Sequence, residues 1–168
     1  MASFKIDKGI FVTGIGTDVG KTIVSTILCQ VLEFDYWKPI QCGSLENTDS
    51  DIVKSLISND KSQIHAEQFS LSQPLAPSVA AKIEGIEITL ESFELPKSKN
   101  PILVEGAGGL LVPINDKLTI LDLIGHLELP VVLVSHNYLG SINHTLLSIE
   151  VLRKHGLRLM GLIFSGVN

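Results

Sequence analysis

Hydrophobic positions along the chain form two kinds of stretch, short unbroken runs and longer segments with helical spacing. The first run, Gly9-Ile10-Phe11-Val12-Thr13-Gly14, is β-branched and aromatic and reads as a strand. After a glycine-rich turn, apolar residues recur at Ile23, Ile27, Leu28, Val31 and Leu32, which predicts a helix with those residues on one buried face. Phe34-Asp35-Tyr36-Trp37-Lys38-Pro39 reads as a second strand stopped by its proline, and Gln41-Cys42-Gly43-Ser44 as the loop after it. Asn47-Thr48-Asp49 supplies capping residues ahead of a short amphipathic helix over 51–57.

The stretch 58–100 is the least regular. It offers a brief strand at Phe69-Ser70-Leu71, a helix from Pro77 to Lys82 with proline in its first turn, and another short helix over 89–93. Regularity returns with Pro101-Ile102-Leu103-Val104-Glu105, a buried strand followed by Gly106-Ala107-Gly108-Gly109. A helix over 118–127, an apolar strand over 131–134, a helix over 141–155 stopped by Gly156 and a final strand over 159–164 complete the pattern. Apolar strands alternating with helices predict an α/β fold with a mostly parallel sheet covered by helices on both faces. With 168 residues and no linker, repeat or low-complexity segment, the whole chain (1–168) is expected to form a single domain.

Composition removes several function classes. A hydrophobic fraction of 45% is that of a packed core and excludes a disordered chain. A net charge of −5 without any Lys/Arg run argues against nucleic acid and anionic membranes as partners. The N-terminus is too polar for a signal peptide, and no apolar run approaches the ~20 residues of a spanning helix. Cys29 and Cys42 are the only cysteines, so neither a disulfide framework nor a zinc pattern is visible. The expected location is the cytoplasm.

The candidate chemistry begins in the first turn, Gly14-Ile15-Gly16-Thr17-Asp18-Val19-Gly20-Lys21-Thr22. Glycines there let backbone N–H groups approach an anion, and the helix that follows adds positive charge at its start. The lysine can reach the β/γ-phosphates, and the threonine hydroxyl can hold Mg²⁺. Ile15 stands where the strict G-x-x-x-x-G-K-[ST] pattern has glycine, so this is a variant phosphate loop with its Gly-Lys-Thr ending intact. Together with the strand and helix pattern it predicts a P-loop NTPase-type three-layer fold that binds a nucleoside triphosphate.

Ligands of an open parallel sheet gather beyond the carboxyl ends of the strands. Glu105, a carboxylate ending an apolar strand, is a candidate ligand for nucleotide-bound Mg²⁺. Asp51, Asp49 and Glu46 are weaker candidates, because capping and solvation account for them. Lys38 is either a second cation over the transferred phosphate or a snorkelling surface lysine. Gly140-Ser141-Ile142-Asn143-His144 opens a helix whose free N–H groups suit a carboxylate or phosphate, although capping by Ser141 explains it equally well. The residues by themselves reach a Mg²⁺-nucleotide enzyme of unknown substrate.

Several segments together resemble the dethiobiotin synthetase family. They are Val12-Thr13-Gly14 through Gly20-Lys21-Thr22, Lys38-Pro39, Ser50-Asp51, Val104-Glu105-Gly106-Ala107-Gly108-Gly109-Leu110, Leu129-Pro130-Val131-Val132-Leu133-Val134 and Leu139-Gly140-Ser141-Ile142-Asn143-His144, in family order. The resemblance implies an ATP-dependent ligase of biotin synthesis. Diaminopelargonic acid would be carboxylated by CO₂ to a carbamate, ATP would phosphorylate it, and the second amine would close the ureido ring. It further implies that Gly16, Thr17, Asp18, Val19, Gly20, Lys21, Thr22, Glu105, Gly106, Gly108 and Ser165 bind ATP, and that Thr22, Asp51 and Glu105 hold Mg²⁺. Thr17, Lys21 and Lys38 are implied as catalytic. Asp18, Lys38, Cys42 and Pro77 would face substrate.

The family's homodimer implies that the substrate carboxylate is cradled by the partner's Gly140, Ser141, Ile142 and Asn143. Departures are Cys42 in place of a hydroxyl residue, Ser165 in place of an asparagine, and a chain that ends at Asn168 where relatives continue beside the nucleotide base. A related amidoligase would lack the Gly-Ser-Ile-Asn-His segment. A nucleotide-switched ATPase would carry a lysine where this chain has Gly16.

Overall fold

The computed structural model describes residues 6–166 of the protein. Its central strand, β1 (Gly9–Gly14), is buried along its whole length. Alternate side chains go to opposite faces, so Ile10 and Val12 enter one apolar layer and Phe11 the other. Around it run β2 (Asp35–Trp37), β4 (Ile64–His65), β6 (Ile102–Gly109), β7 (Val131–His136) and β8 (Leu159–Ser165), with β3 (Ile40–Cys42) and β5 (Phe69–Leu71) forming a separate pair. The main sheet has the order β4-β2-β6-β1-β7-β8, and each of its pairings is parallel.

Helices α1 (Lys21–Leu32) and α2 (Asp49–Leu56) place Val24, Cys29 and Val53 in the layer with Ile10. Helices α3 (Pro77–Glu84), α4 (Ile120–Leu127) and α5 (Ser141–Lys154) contribute Ala80, Ala81, Ile120, Leu123 and Leu152 to the opposite layer. This is the three-layer α/β architecture expected from the alternation of runs. No helix among the described residues is long and apolar enough to cross a membrane.

Local chemistry sets the element ends. Thr48 caps α2 through a box in which its hydroxyl accepts from Asp51 N and the Asp51 carboxylate accepts from Thr48 N. Pro77 opens α3, and Gly85, at φ 67°, closes it in the left-handed region.

Four expectations change. Gln41 and Cys42 belong to strand β3, paired in parallel with Phe69–Leu71, rather than to a loop. The glycines after Glu105 continue strand β6 instead of ending it. The helix expected over 89–93 is a single 3₁₀ turn at Leu90–Ser92. The expected buried face of α1 is the exposed one: Ile23, Ile27 and Val31 are 51, 56 and 70% exposed. The phosphate loop fixes the phase of α1, with Lys21 buried and Val24 N donating to Gly20 O. Ser25, Thr26 and Cys29 therefore turn towards the sheet, and small side chains permit a close approach.

At the amino end of β2, Asp35 is fully buried and ties two loops and strand β4 together. Its carboxylate accepts hydrogen bonds from Gln63 N, Asn100 Nδ2 and Ser98 Oγ, and pairs with His65 Nε2 at 3.0 Å. Burial alone would push this carboxyl up, but the bonds from Ser98, Gln63, Asn100 and His65 outweigh it and hold it below its ordinary 3.8. A carboxyl depressed in the folded state adds stability above its unfolded pKa and loses it as pH falls through the folded value. Asp35→Asn should therefore cost about 2–3 kcal/mol near neutral pH. That difference should shrink when denaturant melts are repeated below about pH 4.

Candidate active site

The carboxyl ends of β1, β2 and β6 open into a cleft of about 1040 Å³. The phosphate loop forms its base, β3 one wall, and the chain at Pro74–Pro77 another. Gly20 adopts φ 87° as the cap of α1, a conformation that disfavours any side chain.

Glu105 sits at the floor with no solvent exposure. Its Oε1 accepts from Thr22 Oγ1 at 3.0 Å and lies 3.2 Å from Lys38 Nζ, while Oε2 accepts from Tyr36 Oη at 3.1 Å. Lys38 also forms an ion pair with Asp49. Burial disfavours charge on Lys38, but the carboxylates of Glu105 and Asp49 outweigh it and hold the ammonium above its ordinary 10.5. Lys38 is thus a buried, paired cation and not a snorkelling surface lysine. The second lysine, Lys21, donates from Nζ to Gly16 O at 3.0 Å and is 7% exposed. Burial pulls its pKa below 10.5, opposed by Glu105 and reinforced by Lys38. Two cations and two carboxylates therefore share a poorly solvated floor where charge interactions are strong.

Thr17, Asp18, Gly20, Lys21, Thr22, Lys38, Cys42, Pro77, Glu105 and Gly108 all line this cleft, although they are distant in sequence. Burial pushes the Cys42 thiol up to about 11, so it is no thiolate nucleophile at neutral pH. Other expected residues lie elsewhere. Gly16 faces a second groove with Leu111 and His144. Val19 is buried beneath the loop, and Ser165 Oγ donates to Val19 O, bracing the loop from β8. Gly106 gives room to the Phe11 ring, which a Cβ would approach to 2.8 Å. Gly140, Ser141, Ile142 and Asn143, at the start of α5, do not line this chain's cleft.

Asp51 requires a correction. Expected beside Thr22 and Glu105, its carboxylate is occupied by the Thr48 cap and faces a separate groove with Lys54 and His65. The acid that reaches the cleft is Asp49, in the first turn of α2. Helical geometry turns residues two apart to different sides, and a capping residue at the third helical position is held at the helix start. Tyr36 and Gln41 also escaped the sequence reading. Gln41 is buried beside Asp49, with Nε2 donating to Gly43 O at 2.9 Å and Oε1 accepting from Asp49 N at 3.4 Å.

A glycine-rich turn between a central parallel strand and its helix, with Lys21 and Thr22 at the helix start, defines an α/β phosphate-loop nucleotide-binding protein. The AAA domain family (AAA_26) matches residues 8–168. The ATP-dependent dethiobiotin synthetase BioD of Christiangramia forsetii is 52% identical over 159 residues, covering 95% of this chain and 76% of that protein. The protein of the same name from Cytophaga hutchinsonii is 48% identical over 160 residues, covering 95% and 77%. The chain belongs to the ATP-dependent dethiobiotin synthetase family. A ParA family ATPase from Chlorobium tepidum TLS aligns with 94% of this chain and 72% of its own at 8% identity and a TM-score of 0.48.

Proposed function

We propose that the protein is a dethiobiotin synthetase that carboxylates 7,8-diaminopelargonic acid with CO₂ and closes the ureido ring at the expense of ATP, releasing ADP and phosphate. The observation that carries this reading is the floor of the cleft: Glu105, Thr22, Lys38 and Asp49 packed around one point at the end of the phosphate loop. Lys21 and the loop amides hold the polyphosphate. Lys38 offsets negative charge as carbamate and γ-phosphate approach, with Thr17 and Asp18 at the mouth between them. A carbamate oxygen is already anionic, so the protein supplies positioning and charge stabilisation rather than a strong base.

Mg²⁺ fits the donor set. Thr22 Oγ1, Glu105 Oε1 and the Asp49 carboxylate are hard oxygen donors lining the cleft, Thr22 bonded to Glu105 and both carboxylates paired with Lys38, and Mg²⁺ takes one or two carboxylates together with substrate phosphates. The ion would neutralise charge on the β- and γ-phosphate oxygens. If Asp49 is the second carboxylate, Asp49→Asn should lower turnover about tenfold or more and raise the Mg²⁺ requirement. Asp51→Asn should leave turnover within about twofold, because it loses only a cap at an exposed helix end. Mg²⁺ titrations of the two variants compare them directly.

The working unit is a homodimer in which the partner's Gly140 to Asn143 helix start receives the substrate carboxylate. The exposed apolar residues Leu139, Ile142, Leu146 and Leu147 around that helix, the last sharing the second groove with exposed Leu111, support this reading. The chain works as one domain in the cytoplasm, where its substrates and nucleotide occur.

The deciding experiment is phosphate release measured with diaminopelargonic acid, bicarbonate, Mg²⁺ and ATP, omitting each in turn. Release that needs all of them is expected. Equal release without the diamine would instead favour a nucleotide switch. Repeating the assay with CTP and GTP reads the base preference, which Ser165 bears on.

A further inference from the structure

Tyr36 has no place in the roles above, yet it is fully buried and ends on the central carboxylate. The β2–β6 register sets Tyr36 beside Leu103, so Glu105, two residues on, shares its face of the sheet. The ring runs among the apolar residues of that layer, including Cys29 and Val53, where a phenylalanine would pack as well. The hydroxyl is the polar exception, and it donates to Glu105 Oε2 at 3.1 Å. The other oxygen, Oε1, carries the contacts to Thr22 and Lys38. Each carboxylate oxygen therefore has its own donors, which fixes the rotation of the group and turns Oε1 to Thr22. Burial and the neighbouring Glu105 charge push the phenol well above its ordinary 10.0, so it remains a donor.

We infer that Tyr36 is the positioning residue for Glu105: its hydroxyl locks Oε2 so that Oε1 faces the metal–nucleotide position beside Thr22. This inference rests on the assignment of Glu105 to Mg²⁺ made above. Such outer partners fix the direction of a ligating oxygen, and their loss commonly weakens metal affinity about tenfold to a hundredfold.

Tyr36→Phe keeps the ring and removes only the donor. Calorimetric titration with the non-hydrolysable analogue AMPPNP, once with Mg²⁺ and once with EDTA, reads the metal's share of nucleotide affinity. In EDTA the variant should bind within about twofold of the parent, while the gain from Mg²⁺ shrinks about tenfold. An unchanged gain from Mg²⁺, or an equal loss in both titrations, overturns the proposal and leaves Tyr36 a packing residue. Glu105→Gln, titrated in parallel, separates the two readings. If it also keeps the full gain, the metal role of Glu105 fails. If it loses the gain while Tyr36→Phe keeps it, only the present inference fails.

A second measurement keeps the hydroxyl at position 36. The chain has two tyrosines, Tyr36 and Tyr138, and both can be replaced by 3-fluorotyrosine, with Tyr138→Phe assigning the spectrum. The ¹⁹F resonance of Tyr36 should shift on adding Mg²⁺ with AMPPNP and not on adding AMPPNP in EDTA. A resonance indifferent to Mg²⁺ overturns the proposal.

Discussion

Lys21→Ala should lower phosphate release by about three orders of magnitude or more while leaving a folded protein. The cation is 7% exposed, with Nζ donating to Gly16 O within the phosphate loop. In the proposed role, a charge so placed would act on transferring phosphate through little solvent, where each donor counts for more than it does in water. Stability should change little for a separate reason. Burial already works against the charged form of Lys21, so its removal relieves a desolvation cost. Lys38 remains to neutralise Glu105. Melting temperature and stopped-time phosphate release, measured on one preparation, test both halves. A near-parental rate would remove Lys21 from the assigned role.

Glu105→Gln is expected to cost about a hundredfold in Mg²⁺-dependent turnover and to shift the Mg²⁺ dependence to higher concentration. The side chain keeps its shape and has a satisfied orientation available. The amide oxygen can accept from Thr22 and Lys38, and the amide nitrogen can donate to the Tyr36 oxygen, which accepts as well as donates. Lys38 retains Asp49 as its counter-charge, so no buried cation is stranded. The fold should survive while the function falls. Circular dichroism melts beside a Mg²⁺ titration of turnover would show the separation, and an unaltered Mg²⁺ curve would contradict the role of Glu105.

The strands that bury both faces were legible because each carries an unbroken apolar run, Ile10–Val12 in β1, Ile102–Val104 in β6 and Val131–Val134 in β7. Glu105 stood out for the same reason, as a charge at the end of such a run. The Thr48 cap of α2 and the proline that opens α3 were equally readable, because their chemistry is local. Other features depend on what lies across the fold. Helical spacing alone made Ile23, Ile27 and Val31 a core face, whereas the loop before them sets the rotation of the helix. Asp49 and Asp51 are alike in sequence, and only the cap on Thr48 takes one of them away from Lys38. Tyr36 gave no signal beyond being an aromatic residue in a strand, since its value lies in a hydroxyl that meets a residue far along the chain. Of the small parallel pair, β5 was read in place at Phe69–Leu71, whereas β3 was missed for want of length.

Strand β6 lies between β1 and β2 in space, although more than half of the polypeptide separates Gly9 from its neighbour Ile102. Bringing such remote pieces together carries a large closure entropy, and topologies of this kind fold slowly. A ribosome-bound chain that has released the phosphate loop and α1 therefore still lacks the strand that carries Glu105. Nucleotide can offer little help to the early stages of synthesis, and should begin to protect nascent chains from protease only after residue 109 has emerged.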